Sequence, residues 1–386
     1  MNKTITIFFL FLCSSLAFGQ IQSSFVVQRW DIENTDIESI SFIRVDSTRV
    51  SQSTALEYKE FVVLLDLPIV ESSIRKEKNF KKEIELGDKF LSFIKEYYNK
   101  PVKFVLVSHW HAHSISGIVP FLEKEIDFYM TSHNWNEALR DGLLPKEYYT
   151  SDYEKNIHFI NKDTVMLADE KFPIDVLYLD SINYSVKPTK DFLVYYLPNI
   201  NTLYVSCKVL IKEIDYSKYQ IAEYSDRLLD IKKVINEKHL TVDNLIRLYY
   251  AKSPEFVVPY KYIEDIIKKG KSWNEIIEYF TNMDLGWVQN NQNSLLRYTI
   301  ETELHPNLLR LVVYECLKQE QFDKAVILAQ ILCDYRPNNA FYINALGESY
   351  YRKGDLQKAM YYDALLKTMS SKYGINQWKT NIINTK

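Results

Sequence analysis

The feature that most restricts the fold of this chain is an alternation, from Phe25 to about Tyr262, of short apolar runs with amphipathic helical stretches. The run at 61–65 predicts a buried strand that ends at Asp66. Residues 82–98 carry apolar side chains at helical spacing, and a second buried strand is predicted over 104–107. Strands that alternate with helices are typical of layered α/β architecture.

Two more strands are predicted in the second half of this region. Residues 192–197 and 203–211 flank the turn at 198–201, which indicates a β-hairpin. Residues 218–238 then predict another amphipathic helix. We therefore expect an α/β domain over residues 20–275.

After the last predicted strand the apolar pattern is helical only. Ala325 and Ala359 are 34 residues apart, which is the period of tetratricopeptide repeats, and Leu346-Gly347 falls where such repeats carry Leu-Gly. The spacing predicts tetratricopeptide-like helices over 305–373, joined to the α/β domain by a helical linker over 276–304. An ordinary helical hairpin is the alternative. Because such repeats bury their faces by stacking, we expect them to dock on the α/β domain or on a protein partner.

The first 19 residues have the order of features that is typical of a secretory signal peptide. Lys3 is followed by the apolar run from Ile5 to Leu12 and by small residues up to Gly19. We expect a mature chain that begins at Gln20 and is periplasmic or secreted. No later apolar run reaches the roughly 20 residues that a membrane helix needs, so no stable membrane span is expected.

Charge and cysteine content exclude two classes of protein. The net charge is −3, and no cluster of Lys and Arg could hold a phosphate backbone, so nucleic acid is not an expected partner. Three cysteines follow the leader, Cys207, Cys316 and Cys333, which is too few for a disulfide scaffold. Cys316 and Cys333 fall at positions where helical repeats pack small apolar residues, so we expect them in the core.

Three of the seven histidines fall within five residues, directly after the strand at 104–107. They are His109, His111 and His113. In extended backbone, residues two apart point to the same side, so the three imidazoles could converge on one metal ion. A solvated loop that happens to hold histidines is the alternative interpretation.

The motif His109-Trp110-His111-Ala112-His113 closes on Gly117 and resembles the His-x-His-x-Asp signature of the metallo-β-lactamase superfamily. The segment Val63 to Pro68 resembles the opening strand of the class B1 zinc β-lactamases. The segment Leu203 to Cys207 is similar to the strand that delivers the cysteine ligand of that subclass. The resemblance implies an αββα sandwich over residues 20–275.

The same resemblance implies an altered metal site. In the family, two further histidines complete two zinc sites, and the alignment places Pro188 and Lys261 at those positions. Proline offers no ligand, and a protonated lysine repels a cation. His113 stands where the signature has its aspartate. We therefore expect one zinc ion at most. Three imidazoles and one thiol remain as candidate ligands: His109, His111, His113 and Cys207.

Two residues near this motif have alternative interpretations. Cys207 lies on the apolar face of the strand predicted over 203–211, so it is either the fourth ligand or a small buried thiol. Asp66 is expected to hold the histidine loop in place, with strand-end capping as the alternative.

The candidate ligands indicate a zinc-related function, but they do not decide between a binding scaffold and an enzyme. We expect an exported protein with an altered zinc site, which is a pseudoenzyme or binding scaffold without β-lactam hydrolysis. A zinc-dependent hydrolase with a non-standard mononuclear site is the alternative. A fold alone does not establish activity.

Overall fold

The computed structural model describes twelve segments of the chain: 25–32, 37–45, 52–67, 80–148, 150–169, 172–184, 189–209, 223–224, 226–248, 256–296, 306–369 and 374–383. The predicted signal peptide over 1–19 lies outside the described residues. Pro188 and residues 210–211 lie outside them too.

Two large β-sheets form the centre of the first part of the chain. The first sheet has seven strands in sequence order: β1 (Phe25–Asp31), β2 (Ile37–Val45), β3 (Ser53–Tyr58), β4 (Val62–Leu65), β5 (Val102–Leu106), β6 (Asp127–Met130) and β7 (Ile157–Phe159). Strands β1 to β4 pair antiparallel, whereas β4 to β7 pair parallel.

The second sheet has six strands in the order β14-β13-β11-β10-β9-β8. Their bounds are β8 (Thr164–Asp169), β9 (Phe172–Leu179), β10 (Phe192–Leu197), β11 (Thr202–Ser206), β13 (Asn244–Arg247) and β14 (Val257–Pro259). All neighbours pair antiparallel except β11 and β13. The predicted hairpin is present as β10 and β11, and its turn contains Asn201 in the left-handed region (φ 47°).

Helices cover the outer face of each sheet. The first group is α1 (Phe80–Tyr98), α2 (Ala112–Ile115), α3 (Val119–Glu123), α4 (Ser132–Arg140) and α5 (Ser151–Glu154). The second group is α6 (Asp226–Glu237) and α7 (Tyr260–Lys269). Strands such as β4 and β10 are buried at every position, which explains their continuous apolar sequence.

Three apolar clusters define the layers. One lies between the sheets and joins Leu65 of the first sheet to Tyr195 and Ile246 of the second. Another packs the outer face of the first sheet against α1, α3 and α4, and a third packs the outer face of the second sheet against α6 and α7. The predicted αββα sandwich is therefore confirmed by the packing of this chain.

Strand β11, the second strand of the β-hairpin, is shorter than its sequence pattern predicts. The strand predicted over 203–211 ends at Ser206, whose φ of 44° is in the left-handed region. Lys208 N donates to the carbonyl of Val205 over 3.0 Å, so the chain leaves the sheet in a tight turn with Cys207 at its centre. The strand therefore ends before Cys207, but Cys207 and Val209 still pack in the same buried apolar cluster as Leu203 and Val205, as the alternating pattern predicts.

The C-terminal part of the described chain is helical, as predicted. It contains α8 (Trp273–Asn282), α9 (Leu285–Asn290), α10 (Pro306–Lys318), α11 (Phe322–Tyr335), α12 (Ala340–Lys353), α13 (Leu356–Met369) and α14 (Ile375–Ile383). Consecutive helices from α10 to α13 pack on one another. Cys316 and Cys333 are buried free thiols in this core. The tetratricopeptide assignment remains a prediction.

The helical core also includes side chains that precede α10. Ile276 and Phe280 of α8 belong to the same apolar cluster as the helices that follow. Lys324 of α11 is buried and donates to the carbonyls of Thr281 and Met283 at the end of α8.

A two-stranded parallel pair, β12 (Glu223–Tyr224) with β15 (Lys271–Ser272), joins this region to the chain just before α6. Across the described segments, no helix has the length and apolar character of a membrane span.

Candidate metal centre

The candidate site lies where β4, β5 and β11 end. Asp66 directly follows β4, His109 lies three residues beyond β5, and Cys207 directly follows β11. Because β4 and β5 are parallel neighbours, their carboxyl ends lie at the same sheet edge. β11 brings the cysteine to that edge from the second sheet. The site therefore bridges the two halves of the sandwich.

The four predicted ligands converge in the structure. The ligand atoms of His109, His111, His113 and Cys207 all lie within 4.8 Å of one another. His109 Nε2 is 3.1 Å from His113 Nε2 and 3.1 Å from Cys207 Sγ. His109 and Cys207 are buried, whereas His111 and His113 are partly exposed, so the site is open on the side of those two imidazoles.

The backbone of residues 109–113 is not the extended strand that the sequence pattern predicts. Three histidines were expected to alternate in extended backbone, but His113 lies in the short helix α2 and His111 precedes it. The chain turns at His111, which directly precedes this helix, and His113 Nε2 comes within 3.1 Å of His109 Nε2. The three histidines therefore lie close together, but not through the alternation of an extended backbone.

Asp66 is the centre of a buried hydrogen-bond network. Its Oδ1 accepts from the backbone amide of Ser108 over 2.7 Å. Its Oδ2 accepts from the hydroxyls of Ser108 (2.7 Å), Tyr204 (2.7 Å) and Ser206 (2.8 Å). Burial raises the pKa of Asp66 to about 6, although these four donors act in the opposite direction. The carboxylate is therefore ionised at neutral pH and accepts from both sheets.

This network fixes the orientation of His109. Ser108 donates its only hydroxyl proton to Asp66, so its oxygen is free to accept from His109 Nδ1 at 2.8 Å. Ser114 Oγ is 3.2 Å from the same nitrogen. A proton on Nδ1 leaves the lone pair on Nε2, which faces Cys207 and His113. Asp66 thus acts through Ser108 to present His109 Nε2 as a ligand atom.

Apolar surroundings complete the site. The ring of Phe192 stacks on His109 with centroids 4.9 Å apart. Burial holds the pKa of His109 well below its ordinary value, and nearby positive groups act in the same direction. Burial also raises the pKa of the Cys207 thiol to about 12. In the absence of a metal, both groups are therefore neutral at physiological pH.

The donor set fits a zinc ion. Three imidazole nitrogens and a cysteine sulfur are ligands that zinc prefers, and tetrahedral coordination places ligand atoms about 3.3–3.6 Å apart. The separations of 3.1 Å are slightly shorter, and the largest is 4.8 Å, so small side-chain adjustments suffice. Because Cys207 would have to lose its proton, affinity for the metal should rise with pH.

Of the two positions that the resemblance sets against further zinc ligands, the structure describes only Lys261. Lys261 is the second residue of α7, and its side chain is exposed. Pro188 lies outside the described residues. The sequence pattern does not indicate Ser108, Ser114 and Phe192 as site residues, because serine and phenylalanine carry no metal-ligand signal. Ser108 and Ser114 belong to the same segment as His109, whereas Phe192 reaches it from β10 of the other sheet.

No protein-family model and no curated protein matches this chain. Among solved structures, it is similar to a metallo-β-lactamase from Pontibacter korlensis, with 15% identity over 63% of this chain and 98% of that chain, at a TM-score of 0.43. It is similar to metallo-β-lactamase IND-7, with 19% identity over 65% and 100% of the two chains, at a TM-score of 0.42.

A third similar structure is the metallo-β-lactamase FIM-1 from Pseudomonas aeruginosa in its mono-zinc form. The identity is 13% over 63% of this chain and 88% of that chain, at a TM-score of 0.37. Because the identities and TM-scores are so low, these similarities are not used as evidence for the αββα sandwich. That description rests on the order of the strands and on the core.

Proposed function

We propose that this chain is an exported protein with a metallo-β-lactamase-type sandwich, which binds a single zinc ion and does not hydrolyse β-lactams. The observation that carries the proposal is the convergence of His109, His111, His113 and Cys207, with all ligand atoms within 4.8 Å. Four protein ligands complete a tetrahedral site, as in structural zinc centres. Catalytic zinc sites keep one position for water.

Hydrogen bonds at the ends of both sheets hold the candidate ligands in place. Asp66 and Ser108 hold His109 at the end of the first sheet, and Ser206 holds the turn that carries Cys207 at the end of the second. When bound, zinc would cross-link these two ends and stabilise the folded chain. This role agrees with a scaffold better than with a hydrolase.

A zinc-dependent hydrolase with a mononuclear site is the second candidate. The observation that favours it is the partial exposure of His111 and His113, which leaves one side of the cluster open to solvent. If Cys207 is not a ligand, the three imidazoles leave one coordination position for water. The state of Cys207 therefore separates the two candidates.

The test is the zinc content of the purified mature protein, followed by its activity. We expect about one zinc ion per chain in the unmodified protein and none in the double variant His109→Ala/His111→Ala. The variant His133→Ala/His158→Ala removes two histidines outside the cluster and should retain the metal. Two tightly bound zinc ions, or none, would contradict the proposal. Turnover of a chromogenic β-lactam that is lost with His109 and His111 would favour the hydrolase.

Export is the second part of the proposal, and residues 1–19 support it. The intact mass of the protein from its own cell should correspond to a chain that begins at Gln20. Leu10→Asp interrupts the apolar run and should leave the unprocessed chain. Processing that is unchanged in this variant would exclude a signal peptide.

The C-terminal helices are proposed to bind a protein partner. The exposed side chains of Leu356 and Met360, four residues apart on α13, support this proposal. A cross-linked partner in the native cell should be lost in the variant Leu356→Ser/Met360→Ser. It should be retained in Lys367→Ser, a variant on the same helix. Equal cross-linking in both variants would contradict a partner site on this face.

A further inference from the structure

The turn that carries Cys207 is held from two sides. On the inner side, the Ser206 hydroxyl donates to the Asp66 carboxylate over 2.8 Å. On the outer side, Arg227 Nη1 donates to the carbonyl of Cys207 over 3.1 Å. Lys208 forms a buried ion pair with Asp230, with side-chain exposures of 1% and 9%. Cys207 is thus fixed through its own carbonyl and through both sequence neighbours.

Both outer contacts come from one face of one helix. Arg227 and Asp230 are three residues apart on α6, so their side chains extend in the same direction. The helix itself is fixed on the second sheet by Leu228, Ile231 and Ile235, which belong to the apolar cluster that contains Cys207. The outer contacts therefore come from a rigid support.

The turn needs such support because of its backbone. Ser206 has a φ of 44°, a conformation that residues with a side chain rarely adopt. If this turn relaxed, Cys207 would leave its present position and its Sγ would move relative to the imidazoles. The three histidines lie on a different segment, so they would not move with it.

Resting on the proposed function, we propose that Arg227 and Asp230 are positioning residues that direct the Cys207 sulfur toward His109, His111 and His113. Arg227 acts through the Cys207 carbonyl, and Asp230 acts through Lys208. Their loss should weaken ligation by the sulfur and leave ligation by the imidazoles in place.

Cobalt(II) substitution of the full mature chain separates these two effects. A thiolate ligand gives a charge-transfer band in the near ultraviolet, whereas visible d–d bands report the coordination geometry as a whole. In Arg227→Gln, cobalt affinity should fall about tenfold, and the charge-transfer band should weaken relative to the d–d bands. Arg227→Lys keeps a charged donor and should restore part of the band. Lys233→Gln removes a cation elsewhere on α6 and should behave as the unmodified protein.

A second variant tests the Asp230 contact. Removal of one partner of a buried ion pair leaves an unpaired charge and can unfold the chain, so Lys208→Met/Asp230→Leu replaces both partners. Circular dichroism checks that the variant is folded. A weaker charge-transfer band is expected here too, and this variant supplies the result if Arg227→Gln does not fold.

Two results would overturn the inference while the proposed function stands. One is an unchanged affinity and charge-transfer band in folded Arg227→Gln and in the double variant. The other is an equal loss of both kinds of band, which would mean a general effect on the site. If the unmodified protein binds no cobalt, or binds it without the charge-transfer band, the four-ligand site itself is wrong and the inference falls with it.

Discussion

The carboxylate of Asp66, at the end of β4, accepts a hydrogen bond of 2.7 Å from the phenol of Tyr204 on β11, and so connects the two sheets of the sandwich. The same carboxylate holds Ser108, which holds His109. One buried acid therefore links the packing of the sheets to the geometry of the candidate metal centre.

Asp66→Asn should destabilise the fold by about 2 kcal/mol or more and lower zinc affinity about tenfold or more. The new NH2 group is a donor and would face other donors in either orientation. In one orientation it faces the amide of Ser108, and in the other it faces the three hydroxyl groups. Urea unfolding and metal titration measure the two effects. Ser206→Ala removes a single donor and should cost about 1 kcal/mol. An Asp66→Asn protein as stable as the unmodified one would contradict the role of this network.

Gly87→Ala should destabilise the chain by about 1–3 kcal/mol, although this change normally stabilises a helix. A Cβ at Gly87 in α1 would lie 2.6 Å from the carbonyl oxygen of Gly117, where the histidine loop closes. Urea unfolding measures the loss. Lys89→Ala, at an exposed position on the same helix, is the control and should have little effect. Equal stabilities would mean that the loop moves away at little cost.

Stability should depend on pH through Glu57. Burial alone would raise the pKa of this carboxyl, but Lys100 Nζ at 2.9 Å, Ser39 and Arg29 outweigh it, and the net pKa is lowered. A lowered pKa in the folded state means that the ionised form stabilises the fold. This contribution is complete above the unfolded-state pKa, about 4.3, and is lost as the pH falls through the folded-state value.

Glu57→Gln should therefore reduce the free energy of unfolding at pH 7 and have a smaller effect below pH of about 4. Urea unfolding across this range measures the difference. Glu96→Gln, on the exposed surface of α1, should give no such dependence. A stability loss in Glu57→Gln that does not vary with pH would mean that the ion pairs contribute little.

Trp378→Ala should destabilise the helical region by about 3–5 kcal/mol and leave the sandwich intact. Trp378 of α14 is fully buried, packs on Gly347 and donates to Asn344 over 2.8 Å. Hydrogen exchange should show lost protection in α10 to α14 and unchanged protection in β4, β5 and β10. Tyr361→Ala, an exposed position, is the control. Equal loss of protection in the β-strands would mean that both parts unfold as one unit.

The sequence by itself determined the α/β fold class, the helical C-terminal region and the residues of the candidate site. Local rules suffice for these, because the apolar period identifies strands and helices and a histidine cluster after a strand is a local signal. Helix α1 was expected over 82–98 and is Phe80–Tyr98. The local pattern indicates His109, His111 and His113 as candidate ligands, and the resemblance of the segment Leu203 to Cys207 adds Cys207.

The tertiary structure decided the geometry of the site. Ser206 ends β11 in a left-handed turn, and its hydroxyl and the phenol of Tyr204 converge on Asp66 from a strand that follows it by more than a hundred residues. Arg227 and Asp230 contact this turn from α6, which packs on the outer face of the second sheet. The contacts with Asp66 form only when the two sheets pack face to face, because the residues that meet have no common local pattern.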